Sequence, residues 1–153
     1  MNSEARLQQL EDVEAIRQLK ARYCAACDND HHPDQLLALF APDAVWEASG
    51  LGRFEGHEQI RGFMTGLRDS GRLRNSAHNV FNPIIEVTGD TATGAWRLLM
   101  LYTANADDGL STQRFRIIGW YRERYVRLPA GWHFQSLYCQ VEESAPYALE
   151  ASH

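Results

Sequence analysis

The sequence predicts an α+β protein, with two or three helices segregated to one face of a curved antiparallel sheet. Helix-period apolar patterns end near Gly71, four long alternating segments follow, and the turn sequences TGD, NADDG and LPAG separate those segments. At 153 residues, with 44% hydrophobic content and 15 basic against 20 acidic side chains, the chain has the size and composition of one globular domain. No repeat or linker interrupts it, so residues 1–153 are expected to form a single domain.

From Leu7 to about Asp28 the apolar positions Leu7, Leu10, Val13, Ile16, Leu19, Tyr23 and Cys27 recur three and four apart. That is the stripe of an amphipathic helix, with Glu14 and Arg17 on a more polar side. The segment DNDHHPD breaks the pattern, and Pro33 suits the start of a short helix from Asp34 to Phe40 because its missing N–H would be unpaired there. Ala41, Pro42 and Asp43 read as a turn, Ala44 to Ala48 as a first strand, Gly50 to Gly52 as a tight turn and Arg53 to Glu55 as the return. A third helix follows, in which Ile60, Phe63, Met64 and Leu67 share one face. The remaining strands are expected at Ser76 to Val87, Thr91 to Ala104, Thr112 to Arg127 and Trp132 to Val141.

Alternation assigns the faces, because neighbouring side chains in a strand point opposite ways. Trp96, Leu98, Met100 and Tyr102 form an inner set on their strand, and Phe115, Ile117, Gly119 and Tyr121 on the next. Arg114, Arg116, Trp120, Arg122 and Arg124 then lie outside. In a chain of net charge −5 such a stripe reads as a subunit interface rather than a nucleic-acid platform, so a homo-oligomer, dimer or trimer, is expected and no nucleic-acid partner. The longest apolar run, Leu36 to Ala41, is far short of a membrane span, and the charged N-terminus lacks the features of a secretory signal. Three cysteines do not make a disulfide framework, and a cytoplasmic location is the expectation.

Three residues stand out as candidates for chemistry. Tyr23 and Asp28 end the first helix, and His78 lies early in a strand whose same-face neighbours are Val80, Asn82 and Ile84. Taken alone, such a histidine is a buried, hydrogen-bonded core residue. A carboxylate on one ring nitrogen changes that reading, since it fixes the tautomer, orients the ring and raises its basicity, as a general base requires. Asp28 is the candidate partner.

The segments LEDVEAIRQLKARYCAACD, LFAPDAVWE, FEGHEQI, SAHNVFNPIIEVTGDTA and GWYRERYVRLPAGWHF together resemble the SnoaL-like proteins of the nuclear transport factor 2-type superfamily, over nearly the whole chain. The resemblance implies a cystatin-like, cone-shaped fold: a curved, mostly antiparallel sheet wrapped around N-terminal helices, with a pocket between the first helix and the concave face. The branch most similar holds scytalone dehydratase, bile-acid dehydratases and hexachlorocyclohexane dehydrochlorinase. It implies a catalytic pair at Asp28 and His78, and the bile-acid dehydratase pattern adds a catalytic tyrosine at Tyr23. The implied activity is a dehydratase-type lyase, a β-elimination without a cofactor. The chain departs from that pattern where relatives place a second histidine or aspartate on the following strand, for here only Tyr102 is polar among the inner residues. An arginine that some relatives have on the last strand is replaced by Leu137 or Tyr138.

Trp46, Asn82, Trp96, Leu98, Met100, Tyr102, Phe115 and Ile117 are the expected substrate-binding residues, an aromatic lining that suits a hydrophobic, ring-bearing small molecule. The same stripe could equally be plain core. Two further readings stay open: a ketosteroid-isomerase-like isomerase or polyketide cyclase using the same base, and a non-catalytic binding or assembly module. Cys24 and Cys27 form a CxxC late in a helix and read as packing residues. Asp28, Asp30, His31, His32 and Asp34 have metal-ligand side chains but read as a solvated turn, so no metal or cofactor is expected. No Gly-rich phosphate loop or G-x-S-x-G motif supports nucleotide hydrolysis or serine-type acyl transfer.

Overall fold

A computed structural model describes residues 1–105 and 112–148. The elements run α1 (Ser3–Asp28), α2 (Pro33–Leu37), β1 (Phe40–Ala48), β2 (Gly52–Glu55), α3 (Gly56–Ser70), β3 (Arg74–Thr88), β4 (Thr91–Asn105), β5 (Thr112–Leu128) and β6 (Gly131–Tyr147). The six strands form one sheet in the order β2-β1-β6-β5-β4-β3, antiparallel throughout except for the parallel β1–β6 pair. Helices packed on a curved, mostly antiparallel sheet are what the sequence predicts. Most of the expected NADDG turn, residues 106–109, lies outside the described residues.

Helix α1 starts earlier than expected because Asn2 caps it, its side chain accepting from the Ala5 N–H at 2.8 Å. Only the second half of its apolar stripe is used. Ile16, Leu19, Tyr23 and Cys27 are buried, whereas Leu7 and Leu10 are 57% and 68% exposed. Pro33 does open α2, but that helix stops at Leu37 and β1 begins at Phe40. The expected Ala41–Asp43 turn is an irregularity inside β1, where the pairing with β6 shifts between Phe40 and Val45. Helix α3 ends at Gly71, whose φ of +61° is the left-handed conformation that closes a helix at little cost only for glycine.

The inner faces of β4 and β5 follow the alternation: Trp96, Leu98, Met100 and Tyr121 are buried. Strand β3 does not keep its phase. Its pairing with β4 shifts between Phe81 and Ile84, where Asn82 adopts φ +53°, so one extra residue is accommodated in a β-bulge. His78 and Val80 face inward before the bulge, and Ile85 and Val87 after it. Asn82 and Ile84, expected to point inward beside His78, are exposed. On the outer face arginines are laced to β6, Arg97 of β4 reaching across β5 to Glu142 at 3.1 Å and Arg116 of β5 to Glu143 at 2.9 Å, while Arg122 stacks on Trp120. No helix among the described residues is long and apolar enough to cross a membrane.

Candidate active site

Strand β3 is an edge of the sheet, so its outward backbone N–H groups need partners from elsewhere. Asp28, in the last turn of α1, supplies one. Its two carboxylate oxygens accept from the His78 backbone N–H at 3.1 and 3.0 Å, and Oδ1 also accepts from the Ser76 hydroxyl at 2.9 Å. The same Oδ1 lies 2.6 Å from His78 Nδ1. Burial works against the Asp28 charge, but the hydrogen bonds from the His78 ring and backbone and from Ser76 outweigh it and hold the carboxyl below the usual carboxylate range. The His78 side chain is 6% exposed. Among the described residues its Nε2 has no hydrogen-bond partner, and the ring lines a cavity.

That cavity, of about 560 Å³, opens between α1, α3 and the concave face of β3 to β6. Tyr23 lies on its wall, one and a half helical turns before Asp28. Its hydroxyl accepts from Trp46 Nε1 at 2.9 Å, and burial pushes its acidity well below that of a free phenol, so it stays protonated and able to donate. Of the expected substrate-binding residues, Trp46, Leu98, Met100, Tyr102, Phe115 and Ile117 line the cavity, with the Tyr102 and Phe115 rings stacked at 5.3 Å. Two do not. Asn82 is exposed at the bulge, and Trp96 donates its indole N–H to the Tyr125 hydroxyl at 3.1 Å in the closed end of the cone.

Sequence reasoning missed His31. Expected in a solvated turn, it is 5% exposed, at φ +50°, because the chain leaving α1 turns back through two left-handed residues, Asp30 and His31, and tucks the second ring inward. The His31 and His78 rings meet edge to face at 6.2 Å, and both line the cavity with Cys27. Burial, aided by repulsion from His78, brings the His31 pKa down to about 4. Cys24 is packed within the fold as expected, whereas Cys27 and Cys139, though buried, border the cavity; burial pushes the Cys24 and Cys139 thiols up to about 11 and Cys27 higher still. Cys139, Val141 and Ser144 show which face of β6 borders the cavity, a point the sequence leaves open.

Deeper in the cone, also unforeseen, Lys20 is fully buried and paired with Glu123, which in turn accepts from the Tyr125 hydroxyl. The Lys20 ammonium also sits 3.2 Å from the centre of the Tyr121 ring. The signal was present: Lys20 is four residues from Ile16 on the buried stripe, and Glu123 continues the inner set of β5.

A family model described as SnoaL-like domain matches residues 8–138. No curated protein matches the chain. Among solved structures, a provisionally assigned aromatic ring hydroxylase of Novosphingobium aromaticivorans is 26% identical, with a TM-score of 0.79 over 90% of this chain and 94% of the other. Hexachlorocyclohexane dehydrochlorinase LinA-type3 of Novosphingobium barchaimii LL02 is 24% identical, with a TM-score of 0.78 over 93% and 94%. A provisionally assigned scytalone dehydratase of Novosphingobium aromaticivorans is 19% identical, with a TM-score of 0.79 over 94% and 93%. The architecture is the cystatin-like, nuclear transport factor 2-type cone.

Proposed function

The chain belongs to the SnoaL-like domain family, and on that footing we propose that it is a lyase of the dehydratase type, acting on a hydrophobic, ring-bearing hydroxy-carbonyl compound. The observation that carries this is the one-sided anchoring of His78: Nδ1 is held at 2.6 Å by Asp28 while the other side of the ring meets a cavity. The dehydrochlorinase and dehydratase names of similar structures support an elimination at such a site.

In the proposed reaction Asp28 accepts the Nδ1–H and so leaves the lone pair on Nε2. Nε2 takes the proton beside the substrate carbonyl, and charge moves to the carbonyl oxygen, where the Tyr23 hydroxyl donates a hydrogen bond. The enolate then expels the β-hydroxyl, which leaves as water with the proton that His78 returns, and a carbon–carbon double bond remains. The neutral imidazole is regenerated. A cavity of about 560 Å³ lies in the range for small-molecule sites, and its aromatic walls suit one or two fused rings.

The test is incubation with a panel of cyclic β-hydroxy ketones and acids, followed by mass spectrometry. Loss of one water by the native protein, abolished in a folded His78→Ala variant, is the expected result. Conversion without change of mass would assign an isomerase or cyclase instead, and saturable binding without conversion a carrier. We also propose that the outer sheet face forms a homo-oligomer, since Phe81, Ile84 and Leu99 are exposed there at 44%, 66% and 37%. A monomer in sedimentation at micromolar concentration would exclude that assembly.

A further inference from the structure

Cys27, His31 and His78 converge at the inner end of the cavity. The Cys27 sulfur and one ring nitrogen from each histidine lie within 4.8 Å of one another. All three side chains line the cavity wall. We propose that these three side chains form a binding site for a zinc-class divalent ion, with its fourth coordination position open to the cavity.

The geometry is close to what such an ion needs. Tetrahedral zinc, with bonds of about 2.3 Å to sulfur and about 2.0–2.1 Å to nitrogen, holds its donors roughly 3.3–3.6 Å apart. Donors within 4.8 Å of one another are at most about 1.5 Å from that separation, a gap within reach of side-chain rotation. The His31 N–H donates to the Cys27 carbonyl at 3.0 Å, and the two left-handed residues after α1 turn the chain back so that the His31 ring lines the cavity beside Cys27. His78 comes from β3 with its outer nitrogen already on Asp28 at 2.6 Å, the carboxylate–histidine arrangement that orients metal-bound imidazoles. A borderline-soft ion suits one sulfur and two imidazoles, whereas magnesium and calcium prefer oxygen. On binding, the Cys27 thiol gives up its proton to solvent and the thiolate neutralises half the charge of the ion.

The consequence concerns the elimination. The nitrogen of His78 facing the cavity is the one the proposed base uses, so an ion on it takes away the lone pair. Metal-bound and catalytically competent states are therefore exclusive. This consequence rests on the function proposed above, whereas ion binding is read without any turnover, and the two fail separately.

The experiment titrates Zn²⁺ into chelator-treated, full-length protein by calorimetry and follows Co²⁺ substitution by optical spectroscopy. One ion per chain and a thiolate-to-cobalt charge-transfer band are expected. Cys27→Ser should abolish the band, and His31→Asn should weaken zinc binding about tenfold or more. Asparagine accepts the left-handed backbone at this position, so the second variant keeps the turn. X-ray absorption of the zinc-loaded native protein, which needs no variant, should give one sulfur and two nitrogens in the first shell. Absence of binding, a spectrum without sulfur, or affinity unchanged in both variants would overturn the site.

Discussion

Two polar pairs join the same face of α1 to the sheet, eight residues apart, and they are built to opposite ends. Lys20 and Glu123 lie in the closed half, where both side chains are fully buried and Tyr125, Tyr121 and Trp96 meet the remaining polar and charged surface. Asp28 and His78 lie in the open half, where the carboxylate is saturated but one imidazole nitrogen is bonded to nothing among the described residues and the ring borders a void. Desolvated charges cost several kcal/mol each unless every partner is in place, so the closed pair holds the fold only as a complete set. An unspent nitrogen is tolerable only where a ligand or water can reach it. Saturation, rather than burial or charge, separates the structural pair from the pair proposed to carry chemistry.

The sharpest break of that comparison is Glu123→Ala. It strands Lys20 in the core and should cost about 3–5 kcal/mol of unfolding free energy in denaturant titration, while a Lys20→Met/Glu123→Leu pair recovers much of it. Loss below 1 kcal/mol for the single variant would make the two pairs alike. In the open half, a stability cost appears as a pH effect. The folded state keeps His31 neutral down to about pH 4 while the unfolded chain protonates it near 6.5. Between those values the unfolded state binds the extra proton, so stability falls as the pH drops through this window, by up to about 3 kcal/mol. His31→Asn, measured with chelator present, should flatten that slope.

Asp28→Asn should lower turnover about a hundredfold or more, since the amide no longer stabilises the imidazolium. Its cost in stability should be far smaller than that of Glu123→Ala. Equal losses of both in the two regions would erase the distinction. The smallest expected effect is at Asn82, where a β-branched valine must adopt φ +53° and should cost about 1–2 kcal/mol, with glycine close to neutral.

The α+β architecture was legible because its signals are periodic and local: a 3.6-residue stripe in α1 and α3, alternation in β4 and β5, and turns at glycines; the cone itself came with the family resemblance. The chain positions of Tyr23, Asp28 and His78 were legible too, through a resemblance that aligns helix end with strand start. What the sequence hid depends on backbone twists and distant partners. The bulge at Asn82 reverses the alternation of β3, so counting by twos put Asn82 and Ile84 inside. Two left-handed residues after α1 turned His31 inward, where composition alone suggested water. Lys20 lies on the buried stripe four residues from Ile16, but its partner is 103 positions away, so no local pattern pairs the two.

The bulge also sets how this family member can change length. The half of β3 bearing His78 is out of phase with the half anchored by Ile85 and Val87, and a single extra residue reconciles them. Ironing the strand flat while keeping all its residues would swing the imidazole to the convex side. Deleting one residue at the same point would restore plain pleating and leave it facing inward. Length variation is therefore harmless here in one direction and ruinous in the other, set by a residue that touches no part of the cavity.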